Sequence, residues 1–141
     1  MQNAPLVPFH LAFPVDDLEA AEAFYTTVIG CRTGRRSDKW IDFDFFGHQV
    51  VAHLSNSAQN ESTNLVDGEN VPVRHFGLVL DRPHWQALKE RIEKSETNWL
   101  VRPQIRFEGQ TGEQGTFFVA DPCGNALEFK YFDDPEQIFR T

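Results

Sequence analysis

His10-Leu11-Ala12-Phe13-Pro14-Val15-Asp16 and His75-Phe76-Gly77-Leu78-Val79-Leu80-Asp81 carry one pattern twice. Each begins on histidine, passes through apolar or small residues and closes on aspartate. The second copy starts 65 residues after the first, at position 75 against position 10. Alternation puts Leu11, Phe13 and Val15 on one face and His10, Ala12 and Pro14 on the other, as in a half-buried strand. Pro14 has no N–H to give a ladder, so this strand is expected at a sheet edge or ending there.

Both copies lead into a helix. Asp16 is the expected N-cap of the first, with Glu19 completing a capping-box pattern. Leu18, Ala21, Tyr25 and Val28 form its apolar stripe, widened by Phe24, and Gly30 closes it in the left-handed conformation. Asp81 repeats the cap, Pro83 falls in the first turn, and Trp85, Leu88 and Ile92 form the stripe.

Strand-like runs follow each helix. In the first half they span residues 40–46 and 49–54, joined by Gly47-His48 as a two-residue hairpin. In the second they span residues 99–107, 116–120 and 126–132, with Asp121-Pro122-Cys123-Gly124-Asn125 as a turn between the last two. The polar stretch from Ser55 to Asn70 reads as an exposed linker. The glycine-rich loop Glu108 to Gly115 is either a flap over a cavity or a long hairpin connection.

The expected fold is therefore α+β. Two tandem β-α-β-β-β modules, residues 6–56 and 72–133 about a linker at 57–71, form a curved mixed sheet around a metal-binding cavity. A chain of 141 residues suits one such domain. Its net charge of -8 argues against nucleic acid, whose phosphates demand a basic patch. Cys31 and Cys123 are too few for a disulfide framework, and no apolar run approaches a bilayer span. With no signal-peptide pattern at Met1 to Pro8, a cytoplasmic location is expected.

The chemistry follows from which way the histidines point. If Leu11, Phe13 and Val15 pack on the helix, His10 turns to the opposite face, and the same parity turns His75 there. Glu128, flanked by Leu127 and Phe129, falls on that face of the last strand. A carboxylate buried alone is costly, and a divalent metal removes the difficulty. Two histidines and a carboxylate suit Fe, Mn, Zn or Ni and leave positions for substrate oxygens. His53, in Val50-Val51-Ala52-His53-Leu54, shares the face of Glu128 by parity, which makes it a fourth ligand or a base beside the metal. Trp40, Asp42 and Arg106 are further candidates to line the pocket. His48 and His84 read as turn and helix-start residues.

These residues resemble the vicinal oxygen chelate superfamily, which includes glyoxalase I, extradiol dioxygenases, fosfomycin-resistance thiol transferases and bleomycin-resistance proteins. The resemblance rests on the His10 strand with Asp16-Asp17-Leu18-Glu19-Ala20-Ala21, on Phe24-Tyr25 and Ile29-Gly30-Cys31, on His75-Phe76-Gly77, and on the ending Asp121 to Glu128. It implies a metal held by His10, His75 and Glu128, and in the glyoxalase I branch a fourth ligand, usually Glu, where His53 stands. It implies a homodimer acting on a small-molecule substrate, by dioxygenase or by lyase and isomerase chemistry. Phe117 and Phe118 stand where the dioxygenase branch usually carries a Tyr, and no phosphonate-binding motif is present. The alternative is a drug-sequestering protein of the bleomycin-resistance type, whose members generally lose the ligand trio.

Overall fold

The computed structural model describes residues 5–56, 63–66 and 68–141. The chain divides into two compact units, Met1–Ser57 and Ala58–Thr141. The first contains β1 (His10–Val15), α1 (Leu18–Ala23), a π-helical turn (Phe24–Ile29), β2 (Arg32–Arg36), β3 (Trp40–Phe45) and β4 (His48–Leu54). The second contains β5 (Thr63–Val66), β6 (Glu69–Pro72), β7 (Phe76–Leu80), α2 (Arg82–Glu93), β8 (Asn98–Arg106), β9 (Gln114–Ala120), β10 (Ala126–Tyr131) and a final 3-10 turn. The α+β class and the tandem modules are as expected. The strands, however, are hydrogen-bonded into two four-stranded sheets, ordered β1-β4-β3-β2 and β7-β10-β9-β8, with β5-β6 as a separate pair.

In the first unit Pro14 lies on an edge strand, where its missing N–H breaks no central ladder. Phe13 and Val15 are buried while His10 and Ala12 are exposed, as the alternation requires. The helix cap is Asp17 rather than Asp16, its carboxylate accepting the Ala20 N–H at 3.0 Å. The β1 ladder runs through Val15, so Asp16 is used for the bend between strand and helix. The helix then widens into the π turn, which adds a residue and rotates the stripe. Phe24 and Tyr25 are both buried, and the stripe continues at Ile29 instead of Val28. Tyr25 packs on Phe13, Phe24 and Phe43 with ring centroids 5.4, 5.0 and 5.1 Å away. Gly30 closes the helix at φ 94, as expected. The β3-β4 turn is Phe46-Gly47, one residue earlier than expected, with φ 54 and 89 as two-residue hairpins require. Strand β2, all of it exposed, is the third strand that the β-α-β-β-β pattern calls for after the helix and to which the sequence assigned no residues.

In the second unit the expected linker contains structure. The β5-β6 hairpin occupies Thr63–Val66 and Glu69–Pro72; the rest of that expectation, residues 57–62 and 67, lies outside the described residues. Asp81 caps α2 by accepting the His84 N–H at 2.9 Å. Trp85, Leu88 and Ile92 are the buried stripe, as read. Trp85 packs tilted against Phe117 and edge-to-face against Tyr131 and donates its indole N–H to Phe129 O at 2.9 Å, tying helix to sheet. The segment from 107 to 113 is the connection of an antiparallel hairpin between β8 and β9.

Candidate metal centre

The Asp121 turn sets where β10 begins. Its buried carboxylate accepts the backbone N–H groups of Cys123 at 2.9 Å and Asn125 at 2.8 Å, and the Asn125 amide at 2.8 Å. Three residues later Glu128 stands opposite Gly77 of β7, whose missing side chain admits the β10 backbone. A Cβ at Gly77 would fall 1.6 Å from Glu128 O. Glu128 is 9% exposed. Its Oε1 lies 3.4 Å from His75 Nε2 and 3.5 Å from Lys130 Nζ, and Oε2 accepts from the Thr116 hydroxyl at 2.5 Å. The carboxylate is thus not alone, and the need for a metal to compensate it is weaker than the sequence suggested.

Burial pushes the Glu128 carboxyl upward, but the hydrogen bonds from His75 and Thr116 and the Lys130 charge outweigh it, and its pKa lies below the usual value. The hydrogen bond to Glu128 raises His75 above the usual histidine range, against burial and with help from Pro72 O. His75 Nδ1 lies 2.8 Å from Pro72 O. A carbonyl only accepts, so Nδ1 carries the proton of the neutral ring and Nε2 presents its lone pair to Glu128. Two acceptors facing each other require a proton or a cation between them. Ligand atoms each about 2.1 Å from a metal at a tetrahedral angle stand about 3.4 Å apart, which matches the separation found. The donor set therefore fits a divalent metal.

His10 is prepared in the same way by different groups. Gln49 Nε2 donates to Asp42 Oδ2 at 3.3 Å, which turns Gln49 Oε1 towards His10 Nδ1 at 2.8 Å. Again Nδ1 is the donor and Nε2 is left for a ligand. Asp42, 9% exposed, also faces Arg35 Nε at 3.9 Å. Arg35, Asp42, Asp44, His48 and Gln49 line an open groove of about 400 Å³.

His53 is displaced from the position expected of it. Ala12 pairs with Val51, and Gly77, the repeat counterpart of Ala12, pairs with Glu128. Val51 therefore stands in the first unit where Glu128 stands in the second, and His53 lies two residues further along β4. It is exposed, opposite Pro14 and Trp40. The structure brings together His75 with Glu128; among the described residues no group of three His, Cys, Asp or Glu side chains is gathered to hold a metal. Trp40 is half-buried on β3, and Arg106 is buried on β8. Thr116 and Gln49 were missed, and Lys130 was read only among the few cations that form no phosphonate-binding motif. Parity signals all three: Lys130 lies two residues from Glu128 on β10, Gln49 four from His53 on β4, and Thr116 two from Phe118 on β9.

Residues 8–129 match the family model for the Glyoxalase/Bleomycin resistance protein/Dioxygenase superfamily. Among solved structures, a glyoxalase/bleomycin resistance protein/dioxygenase from Alicyclobacillus acidocaldarius is 38% identical with a TM-score of 0.83, over 99% of this chain and 100% of that one. Lactoylglutathione lyase from Agrobacterium tumefaciens is 21% identical with a TM-score of 0.66, over 93% and 97%. The fosfomycin resistance protein FosX from Listeria monocytogenes is 15% identical with a TM-score of 0.70, over 96% and 98%. These last two share the fold. No curated protein matches the chain.

Proposed function

The chain belongs to the Glyoxalase/Bleomycin resistance protein/Dioxygenase superfamily, and we propose that it is a metal-dependent enzyme whose ligands are His10, His75 and Glu128. One observation carries this reading: both histidines have Nδ1 tied to an acceptor, Pro72 O and Gln49 Oε1, so that both offer Nε2. Such anchoring fixes the tautomer and ring orientation of metal-binding histidines. Two nitrogens and a carboxylate oxygen suit Fe, Mn, Zn or Ni. When bound, the ion supplies Lewis-acid stabilisation of charge developing on adjacent substrate oxygens.

The chain's own groups do the rest. Thr116 holds Oε2 of Glu128, which leaves Oε1 directed at His75. Lys130 adds positive charge beside that oxygen and can steady an anionic substrate. The substrate in this reading is a small molecule with vicinal oxygens, handled by dioxygenase or by lyase and isomerase chemistry. His53 is proposed as a further ligand or base, on parity alone. No helix among the described residues is long and apolar enough to cross a membrane; we place the protein in the cytoplasm as a homodimer, which light scattering can test.

The test is metal analysis of protein loaded in turn with Fe, Mn, Zn and Ni. About one ion per chain is expected for at least one metal, and none for any would overturn the reading. That second result would favour a sequestering role, for which the groove lined by Asp42 and Asp44 offers a cation-binding surface.

A further inference from the structure

The sheet face that carries Glu128 also carries a buried cation with unused donors. Register places Glu128 beside Phe118, Lys130 beside Thr116, Thr116 beside Gln104 and Gln114 beside Arg106, all on one face of the second unit. Arg106 is 5% exposed. Its guanidinium carbon lies 5.7 Å from the centre of the Phe118 ring, and that ring stands 4.9 Å from the His75 imidazole. One aromatic ring therefore separates the guanidinium from the candidate ligand pair.

The ring contact covers a face of the guanidinium but cannot accept from its in-plane N–H edge. Nε and Nη2 of Arg106 have no hydrogen-bond partner, nor does Nε2 of Gln104 on the same strand face. All three atoms are buried from bulk solvent. Glu128, the buried carboxylate of this face, is held by His75, Thr116 and Lys130 instead. A buried charge-bearing donor without an acceptor is costly, and such groups mark binding sites when they have no structural partner.

We infer that Arg106, supported by Gln104, is the anion-recognition residue of this site, and that its ligand is a small organic carboxylate with an apolar body. Nε and Nη2 form the side edge of the guanidinium, whose two parallel N–H groups match the two oxygens of a carboxylate. Phe118, which faces the guanidinium, packs with Val71 and Val101 in a buried apolar cluster, and these surroundings favour a ligand whose body is apolar. Because that edge is buried, taking up the ligand requires the Arg106 side chain to turn it outward. Resting on the metal reading above, this makes the substrate a carboxylate that also bears vicinal oxygens.

Calorimetric titration of the metal-free full chain with benzoate separates the two readings, because benzoate has the carboxylate and apolar ring without vicinal oxygens. Wild type should bind benzoate more tightly than inorganic phosphate. Arg106→Gln should weaken binding by about tenfold or more, as expected for the loss of a charge-assisted pair. Arg106→Lys, which keeps the charge and loses the fork, should weaken it as well, and serves if the glutamine variant does not fold. Arg102→Gln, exposed on the same strand, should leave binding unchanged. No benzoate binding by wild type, phosphate binding as tight as benzoate, or equal benzoate affinity in wild type and both Arg106 variants would overturn the inference. Metal uptake measured on separate aliquots of the same protein, loaded in turn with Fe, Mn, Zn and Ni, tells the readings apart: benzoate binding without metal uptake leaves the anion site standing alone, and metal uptake without benzoate binding removes only the anion site.

Discussion

The two units hold their histidines at equivalent places, His10 opening β1 and His75 directly before β7, but surround them with different groups. In the second unit the position across the ladder is Gly77 against Glu128; in the first it is Ala12 against Val51. His75 meets a carboxylate within its own unit, whereas His10 meets the neutral amide of Gln49, with Asp42 one step behind. The duplicated topology thus keeps the histidine and its free Nε2 while the charge is concentrated in one copy.

The largest expected effect on stability comes from exchanging the residues that differ under the strand pair. Gly77→Ala drives a methyl group into Glu128 O and should cost about 1–3 kcal/mol by overpacking, together with metal binding. The mirror change Ala12→Gly should cost about 0.5–1 kcal/mol through backbone entropy alone. Denaturant unfolding checks both. Equal losses would mean that the close approach at Gly77 is not what seats Glu128.

Next in size is the anchor of His10. Gln49→Leu should lower metal affinity by about 10–100-fold, and Asp42→Asn by less, because an amide can still orient Gln49. Nitrogen NMR of the metal-free protein should show His10 protonated at Nδ1 in wild type and as a mixture of tautomers in Gln49→Leu. A single unchanged tautomer in that variant would sever the comparison between Gln49 and Pro72.

A smaller effect separates the units by pH. His75 is raised above 6.5, so its stabilisation of the metal-free protein is full below 6.5 and lost as pH rises through the raised value. Glu128 is lowered below 4.5, so its contribution is present above 4.5 and lost as pH falls through the lowered value. Metal affinity runs the other way at the histidine, weakening as pH falls and Nε2 takes a proton. Thermal melts across this range should show the loss on the alkaline side in wild type and its absence in His75→Ala.

The smallest effect is expected at His53. His53→Ala should reduce metal affinity less than His10→Ala does. An equal reduction, read by chelator competition, would make it a full ligand.

That ranking reflects how much a sequence can express. The repeated histidine strands were legible because alternation marks faces directly, and Phe13 and Val15 against His10 and Ala12 bear it out. Alternation has period two, so it names a face without naming the register along it. His53 and Val51 share a face, and only the hydrogen bonds between β1 and β4 show which stands at the Glu128 position. Strand β2, Arg32-Thr33-Gly34-Arg35-Arg36, lies wholly exposed at a sheet edge and has no apolar period to read. The β5-β6 hairpin was hidden for a related reason, its polar stretch resembling a linker until its two strands are seen to pair. The π turn adds a residue that no helical stripe anticipates, which is why Ile29 is buried where Val28 was expected.

In the proposed centre His75 and Glu128, both of the second unit, ligate one metal. Chelator competition on wild type, His75→Ala and Glu128→Gln, each verified as folded, tests it most directly. About one ion per wild-type chain is expected, with affinities in both variants lowered by more than the roughly 10–100-fold typical of a supporting residue. Wild-type affinity in both variants would contradict it.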